Sequence, residues 1–281
     1  MTTRPPHLSV IVPASNEARH IGACLDALAA ARWDAARPAE VVVVANGSRD
    51  ETAAIARGKT DALARVGVPL RVIERAEASK IGALNGGDAA ARGAARLYLD
   101  ADVVVSRDLP VQIMDALQGE APRFASGTVR ITGDGTAARA YARLWRRLPF
   151  MRAGVPGCGL YAVNAAGRAR WEAFPDIIAD DLFARLSFRP GERVAVPATY
   201  DWPVAEGWRA LVRVRRRQNA GVAEIARRFP DLMRNEDKAP LSRAAALGLA
   251  LRDPVGFGTY ASVALAVRLT RGRRDGWSRG R

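Results

Sequence analysis

The sequence predicts an α/β fold, a mostly parallel sheet flanked by helices, with a helical extension at the C-terminus. Three observations carry this. Short β-branched runs at residues 8–13, 40–44, 68–73 and 97–99 alternate with segments whose apolar residues recur at helical spacing. That alternation gives right-handed βαβ units and a parallel sheet. The fourth run, Leu97-Tyr98-Leu99, leads straight into Asp100-Ala101-Asp102. From residue 206 onward the pattern is helical only.

Residues 8–13 form a first buried strand. Residues 14–17 turn the chain, and Asn16 can cap the next helix, where Ile21, Cys24, Leu25 and Leu28 share a face. The second strand ends in Ala45-Asn46-Gly47-Ser48-Arg49-Asp50-Glu51, and Ser48 and Glu51 have capping-box spacing. A glycine turn feeding a helix start offers free N–H groups and a positive dipole end, suited to an anion or a polar base. A third strand covers 68–73, and a helix begins at Lys80. The fourth strand closes on Asp100 and Asp102. Charges belong in a buried run only where they are paired or bind metal, and open α/β sheets bind ligands beyond their strand ends. Mg²⁺ and Mn²⁺ take one or two carboxylates together with substrate phosphates. Taken alone, the pattern also reads as a strand followed by a polar turn.

The 281 residues suffice for one large α/β domain and a smaller appendage. Residues 1–205 are expected to form the sheet domain, 206–270 a helical region, and 271–281 a disordered basic tail. Two cysteines, Cys24 and Cys158, make no disulfide framework or zinc site, and with only His7 and His20 a His-dependent triad or metal centre is not expected. The net charge of +14 is almost entirely arginine, since the only lysines are Lys59, Lys80 and Lys238. With many alanines this reads as coding bias, so total charge carries little weight. No aromatic stacking motif supports nucleic-acid binding. The N-terminus lacks the apolar core of a signal peptide, which points to the cytosol. The G-x-G-x-x-G and P-loop patterns are absent, so neither a dinucleotide fold nor a P-loop protein is expected.

Five blocks in order resemble family 2 glycosyltransferases of the GT-A, Rossmann-like fold. They are residues 10–17 with Pro13, Asn16 and Glu17, residues 43–50 with Asn46, residues 80–86 with Lys80, Asp100-Ala101-Asp102, and the later pair formed by the glycine-rich run 157–163 and Asp180-Asp181 within 174–186. The resemblance spans about residues 8–218. It implies that Pro13, Asn16 and Glu17 line a donor nucleotide, that Asn46 meets the base, and that Asp102 holds a Mn²⁺ or Mg²⁺ ion bridging the diphosphate. Asp100 would lie near the ribose or assist the metal. Lys80, Gly157 and Gln218 would also contact substrate. Asp181, beside Asp180, would be the general base of an inverting transfer, with the neighbouring carboxylate raising one pKa of the pair. The implied partners are a UDP-, GDP- or dTDP-sugar and a hydroxyl acceptor, a lipid-linked one included. Other readings of these residues stay open: Asn16 and Ser48 as caps, Glu17 as a first-turn acid, Lys80 as a solvated lysine, and Asp180-Asp181 as a helix start.

Two departures from the family pattern matter. Ala45 and Asn46 stand where aspartate is common, which leaves the base open. The helix of processive members carries Gln-x-x-Arg-Trp, whereas here Arg215-Arg216-Arg217-Gln218-Asn219 has no tryptophan, favouring single transfers. Residues 206–229 read as one helix with Leu211, Val214, Val222, Ile225 and Phe229 on one face and Arg209, Arg213, Arg216 and Arg227 opposite. Arg252-Asp253-Pro254 breaks the next apolar region in two, and the parts, residues 244–251 and 255–267, are charge-free but too short to span a bilayer. They fit either a soluble helical hairpin or one lying on an anionic membrane surface, peripheral on the cytoplasmic face of the plasma membrane. Two competing functions are a sugar nucleotidyltransferase, whose Gly-x-Gly-Thr-Arg loop is missing after strand one, and a non-catalytic basic binding protein, which would not need Asp100, Asp102 and Asp181.

Overall fold

The computed structural model describes residues 5–270. One sheet contains β1 (Leu8–Ala14), β2 (Ala39–Asn46), β3 (Leu70–Arg75), β4 (Ala95–Leu99), β5 (Val104–Val105), β6 (Phe124–Thr132), β7 (Leu160–Val163) and β8 (Arg193–Pro203), in the order β3-β2-β1-β4-β7-β6-β8-β5. The helices are α1 (Ile21–Ala29), α2 (Thr52–Arg57), α3 (Thr60–Arg65), α4 (Lys80–Ala90), α5 (Leu109–Ala116), α6 (Gly135–Trp145), α7 (Pro149–Ala153), α8 (Ala165–Arg168), α9 (Asp180–Leu186), α10 (Trp208–Arg228), α11 (Arg243–Arg252) and α12 (Pro254–Leu269).

The half of the sheet formed by β3, β2, β1 and β4 is parallel throughout. Every residue of β1 and β2 is buried, as continuous apolar runs require when helices cover both faces. The other half is mixed. β7 lies antiparallel between β4 and β6, β8 pairs parallel with β6, and β5 closes the edge antiparallel to β8. Sequence alternation does not show this, because β7 reaches β4 only after β5, β6 and three helices intervene.

Two local expectations fail for one reason. Asn16 does not cap α1, which starts at Ile21 with no side-chain cap. Instead Asn16 is left-handed (φ 54°), and its Oδ1 accepts from the Arg49 N–H at 2.9 Å. Ser48 forms no capping box with Glu51. Its hydroxyl accepts from the Asn16 N–H at 3.2 Å, while Asp50 accepts from the Thr52 N–H at 3.1 Å in an Asx turn. These side chains tie the loop after β1 to the loop after β2. Their partners are distant in sequence, so local spacing misassigns them.

α10 forms as the periodicity predicts, but its buried face is Leu211, Val212, Gly221 and Ile225. Val222, expected on that face, is exposed. Gly221 takes the contact because a Cβ there would sit 2.8 Å from the Ala179 Cβ. α12 packs on α6 and α10, where Val263 and Val267 join Tyr141, Ala142, Val204 and Leu211 in one core. Arg143 fixes the helix start by donating to both oxygens of Asp253 at 2.8 and 3.0 Å, and Asp253 caps α12 through the Gly256 N–H. α11 has no buried residue. Among the described residues, no helix is long and apolar enough to cross a membrane. The tail expected to be disordered, residues 271–281, lies outside the described residues.

Candidate active site

The carboxyl ends of β1, β2 and β4 open on a cleft of about 690 Å³, where an open α/β sheet places its ligands. β4 stops at Leu99. The Asp100 N–H donates to the Gly159 carbonyl at 2.8 Å, and the Val103 N–H donates to the Asp100 carbonyl at 3.1 Å. This turn leaves Asp100 and Asp102 in the cleft wall. Gly159 has φ +69°, and a Cβ there would lie 2.6 Å from the Trp202 ring, so only glycine serves.

Pro13, Asn16, Glu17, Asn46, Lys80 and Gln218 line the same cleft. Asn46 is buried, with its amide bridging two loops. Nδ2 donates to the Ala14 carbonyl at 2.9 Å, and Oδ1 accepts from the Ser79 N–H at 2.9 Å. Each end retains one further hydrogen-bonding position. Gly157 lies elsewhere, packed on the Phe124 ring and outside the lining of the cleft.

Lys80 is part exposed, and its ammonium is ion-paired. Its Nζ lies 3.1 Å from Asp100 Oδ1 and 3.0 Å from Asp180 Oδ1, linking the tip of β4 to the start of α9. The Asp180 side chain is only 5% exposed, and Tyr161 Oη donates to its other oxygen at 3.4 Å. Burial opposes the Lys80 charge, but Asp100, Asp180 and Asp181 outweigh it and hold the ammonium well above its ordinary pKa. Asp181 is the counterpart. Burial and the Asp180 charge push its carboxyl up to about 6, against the pull of Lys80 and the Leu182 N–H. Lys80, Asp100, Asp180 and Asp181 enclose a cavity of about 20 Å³, room for about one water. Pro13, Lys80 and Asp100 also border the larger cleft.

Lys80→Met leaves Asp180 buried without its cation. The expected cost is about 1–3 kcal/mol, at the lower end for a buried pair because Lys80 is part exposed. The Asp181 pKa should rise further. Urea unfolding and a pH–rate profile read the two effects, and a variant matching the wild type in both would refute this account of the linkage.

Among the described residues no three metal-ligating side chains converge. Asp100 and Asp102 supply two hard carboxylates, a set that fits Mg²⁺ or Mn²⁺ when phosphate oxygens and water complete it. Sequence reasoning missed the far wall of the cleft, formed by Tyr141, Trp145, Trp202 and Val204. The available signal was the i, i+4 spacing of Tyr141 and Trp145, but nothing local pairs them with Trp202.

A model of the family described as glycosyl transferase family 2 matches residues 9–169. The chain belongs to that family. The chain is 32% identical over 143 residues to glycosyltransferase AglE of Haloferax volcanii, an alignment covering 50% of this chain and 46% of AglE. It thus spans about half the length of that relative. The fold is shared with mannosyltransferase PcManGT of Pyrobaculum calidifontis, solved with GDP-Man and Mn²⁺ (TM-score 0.59, 22% identity, 96% of this chain and 76% of that one). It is also shared with glucosyl-3-phosphoglycerate synthase of Mycobacterium tuberculosis, solved with Mn²⁺, UDP and phosphoglyceric acid (TM-score 0.54, 21% identity, 79% and 78%). The eight-stranded α/β sheet flanked by helices is therefore a GT-A fold.

Proposed function

We propose that this glycosyltransferase moves a single sugar, with inversion, from a nucleotide-diphospho-sugar to a hydroxyl acceptor, using Mn²⁺ or Mg²⁺. The observation that carries the reading is the Lys80 link, which brings Asp100 at the β4 tip and the two carboxylates at the α9 start around one cavity. Asp102, assisted by Asp100, would hold the cation. When bound, that cation offsets the charge that builds on the departing diphosphate. Asp181 takes the acceptor hydroxyl's proton as the oxygen attacks the anomeric carbon. A carboxyl near pKa 6 is ionised at neutral pH yet more basic than an ordinary aspartate. Asp180, held by Lys80, fixes α9 beside it. At the other end of the cleft, Ser15 Oγ and Asn16 Nδ2 are buried with no protein partner, which suits hydrogen bonds to a ribose or base. Two proteins sharing the fold were solved with GDP-Man and with UDP, each together with Mn²⁺, in line with this donor class.

The test is thermal unfolding with a panel of UDP-, GDP- and dTDP-sugars. At 100 times its Kd, the donor should stabilise by about 2.7 kcal/mol, with Mn²⁺ strengthening the effect. The absence of a shift with any of them would overturn the reading.

The outer surface of α11 and α12 exposes Leu247, Leu251, Val255, Leu265 and Leu269 among the exposed Arg243, Arg252 and Arg268. Apolar side chains beside cations suit an anionic lipid surface, on which the protein would act on a lipid-linked acceptor. Sedimentation with anionic liposomes at low salt should carry the protein down and neutral liposomes should not; protein left in both supernatants refutes this.

A further inference from the structure

The acidic start of α9 has no cap of its own, because Ala179 stands at the cap position and offers no side-chain acceptor. The segment 174–179 that leads into Asp180 and Asp181 is held from outside, on two sides. On one side is α4, which also carries Lys80. Asn85 Oδ1 accepts from the Phe174 N–H at 2.8 Å, and Asn85 Nδ2 donates to the Phe174 carbonyl at 3.0 Å. On the other side is α10. Glu224 Oε2 accepts from the Ile178 N–H at 2.9 Å. Arg228 donates to the Asp176 carbonyl and to Glu224 Oε1 at 2.9 Å, which keeps that carboxylate aimed at the loop. Gly221 lets helix and loop close on each other. A Cβ there would lie 2.8 Å from the Ala179 Cβ and 3.4 Å from the Ala179 nitrogen.

The same face of α10 also builds the larger cleft. Leu211, Val214 and Gln218 line it, and steps of three and four residues carry that stripe on to Gly221, Glu224 and Arg228. One helix therefore walls the cleft and grips the loop before Asp181. Among the described residues, none of 174–186 lines the larger cleft, whereas Asp180 and Asp181 line the small cavity that shares Pro13, Lys80 and Asp100 with it. A carboxylate accepting a backbone N–H is a strong, directed bond, and a misplacement of about 1 Å can cost about a hundredfold in rate. We infer that Glu224 is a positioning residue for Asp181. With Gly221 it locks the loop to α10, so the helix that walls the cleft also fixes where the base stands. This rests on Asp181 being the base of the proposed transfer. It gives the part of α10 beyond Gln218 a role in turnover and none in donor binding.

Variants of the full chain test this. Turnover is read as GDP released from GDP-Man and UDP released from UDP-GlcNAc, with Mn²⁺ and with octyl glucoside as the hydroxyl acceptor. Donor affinity is read by calorimetric titration of GDP and UDP. Glu224→Ala should lower kcat about ten- to hundredfold, as a displaced base would, with the nucleotide Kd unchanged. Glu224→Gln keeps an oxygen for the Ile178 N–H and should recover most of the loss. Gly221→Ala should lower kcat comparably although alanine is the better helix former, and it decides the matter if Glu224→Ala misfolds. Arg227→Gln, on the exposed face of α10, should match the wild type. Amide exchange across residues 174–186 needs no substrate. Glu224→Ala should speed it about tenfold or more, with exchange in β1 and β2 as in the wild type. Wild-type kcat in both Glu224→Ala and Gly221→Ala, a weakening of the nucleotide as large as the loss in kcat, a loss in Glu224→Gln as deep as in Glu224→Ala, or unchanged exchange overturns the inference. If the wild type releases no nucleotide, or Asp181→Asn turns over like the wild type, the proposed function fails instead, and amide exchange still judges the grip of Glu224 on the loop.

Discussion

Asp181→Asn lowers turnover by about 10³-fold while leaving donor binding intact. General-base catalysis supplies about 10²–10⁴-fold, and asparagine keeps the shape but cannot take a proton. The pH dependence makes the prediction sharper. With a carboxyl pKa near 6, wild-type turnover should fall about tenfold per pH unit below that value, and the residual activity of the variant should not follow this profile. Stability runs the other way. The folded state holds the Asp181 proton more tightly than the unfolded chain, whose aspartate titrates near 4. Stability from this group is therefore full below pH 4 and lost as pH rises to 6. Asp181→Asn should then be more stable than wild type above pH 6, by on the order of 1 kcal/mol. Pre-steady-state turnover and urea unfolding at pH 5 and pH 8 read both effects. Full activity in the variant removes Asp181 from the mechanism.

Asp102→Asn should cost about as much, near 10³-fold in turnover, because a divalent cation at the leaving group supplies several kcal/mol of charge stabilisation. The accompanying readout is the metal. Mn²⁺ should no longer strengthen nucleotide-dependent thermal stabilisation, while nucleotide binding in EDTA stays at the wild-type level. Asp100→Asn should differ, because Asp100 also pairs with Lys80 at 3.1 Å. That variant should lose stability as well as activity. An Asp102→Asn enzyme that kept both Mn²⁺ dependence and turnover would end the metal-site proposal.

Much of this molecule was legible from residue order. The parallel half of the sheet followed from uninterrupted apolar runs, since only strands covered on both faces read that way. The turn after Leu99 was legible because two carboxylates cannot continue a buried strand unpaired. The break at Asp253-Pro254 was legible because proline starts a helix but does not continue one. The local capping assignments failed at Asn16 and Ser48, whose hydrogen bonds cross from one loop to another.

By itself, then, the sequence determined the first four strands, the helices between them, the long helix after residue 206 and where the acidic turn falls, because burial and backbone sterics act on neighbours along the chain. The tertiary structure alone decided that β7 lies antiparallel beside β4, that Lys80 joins Asp100 to Asp180, and that Tyr141 and Trp145 meet Trp202 in one wall of the cleft. Each of these depends on distances between groups far apart in the chain, and those distances are set by packing rather than by spacing.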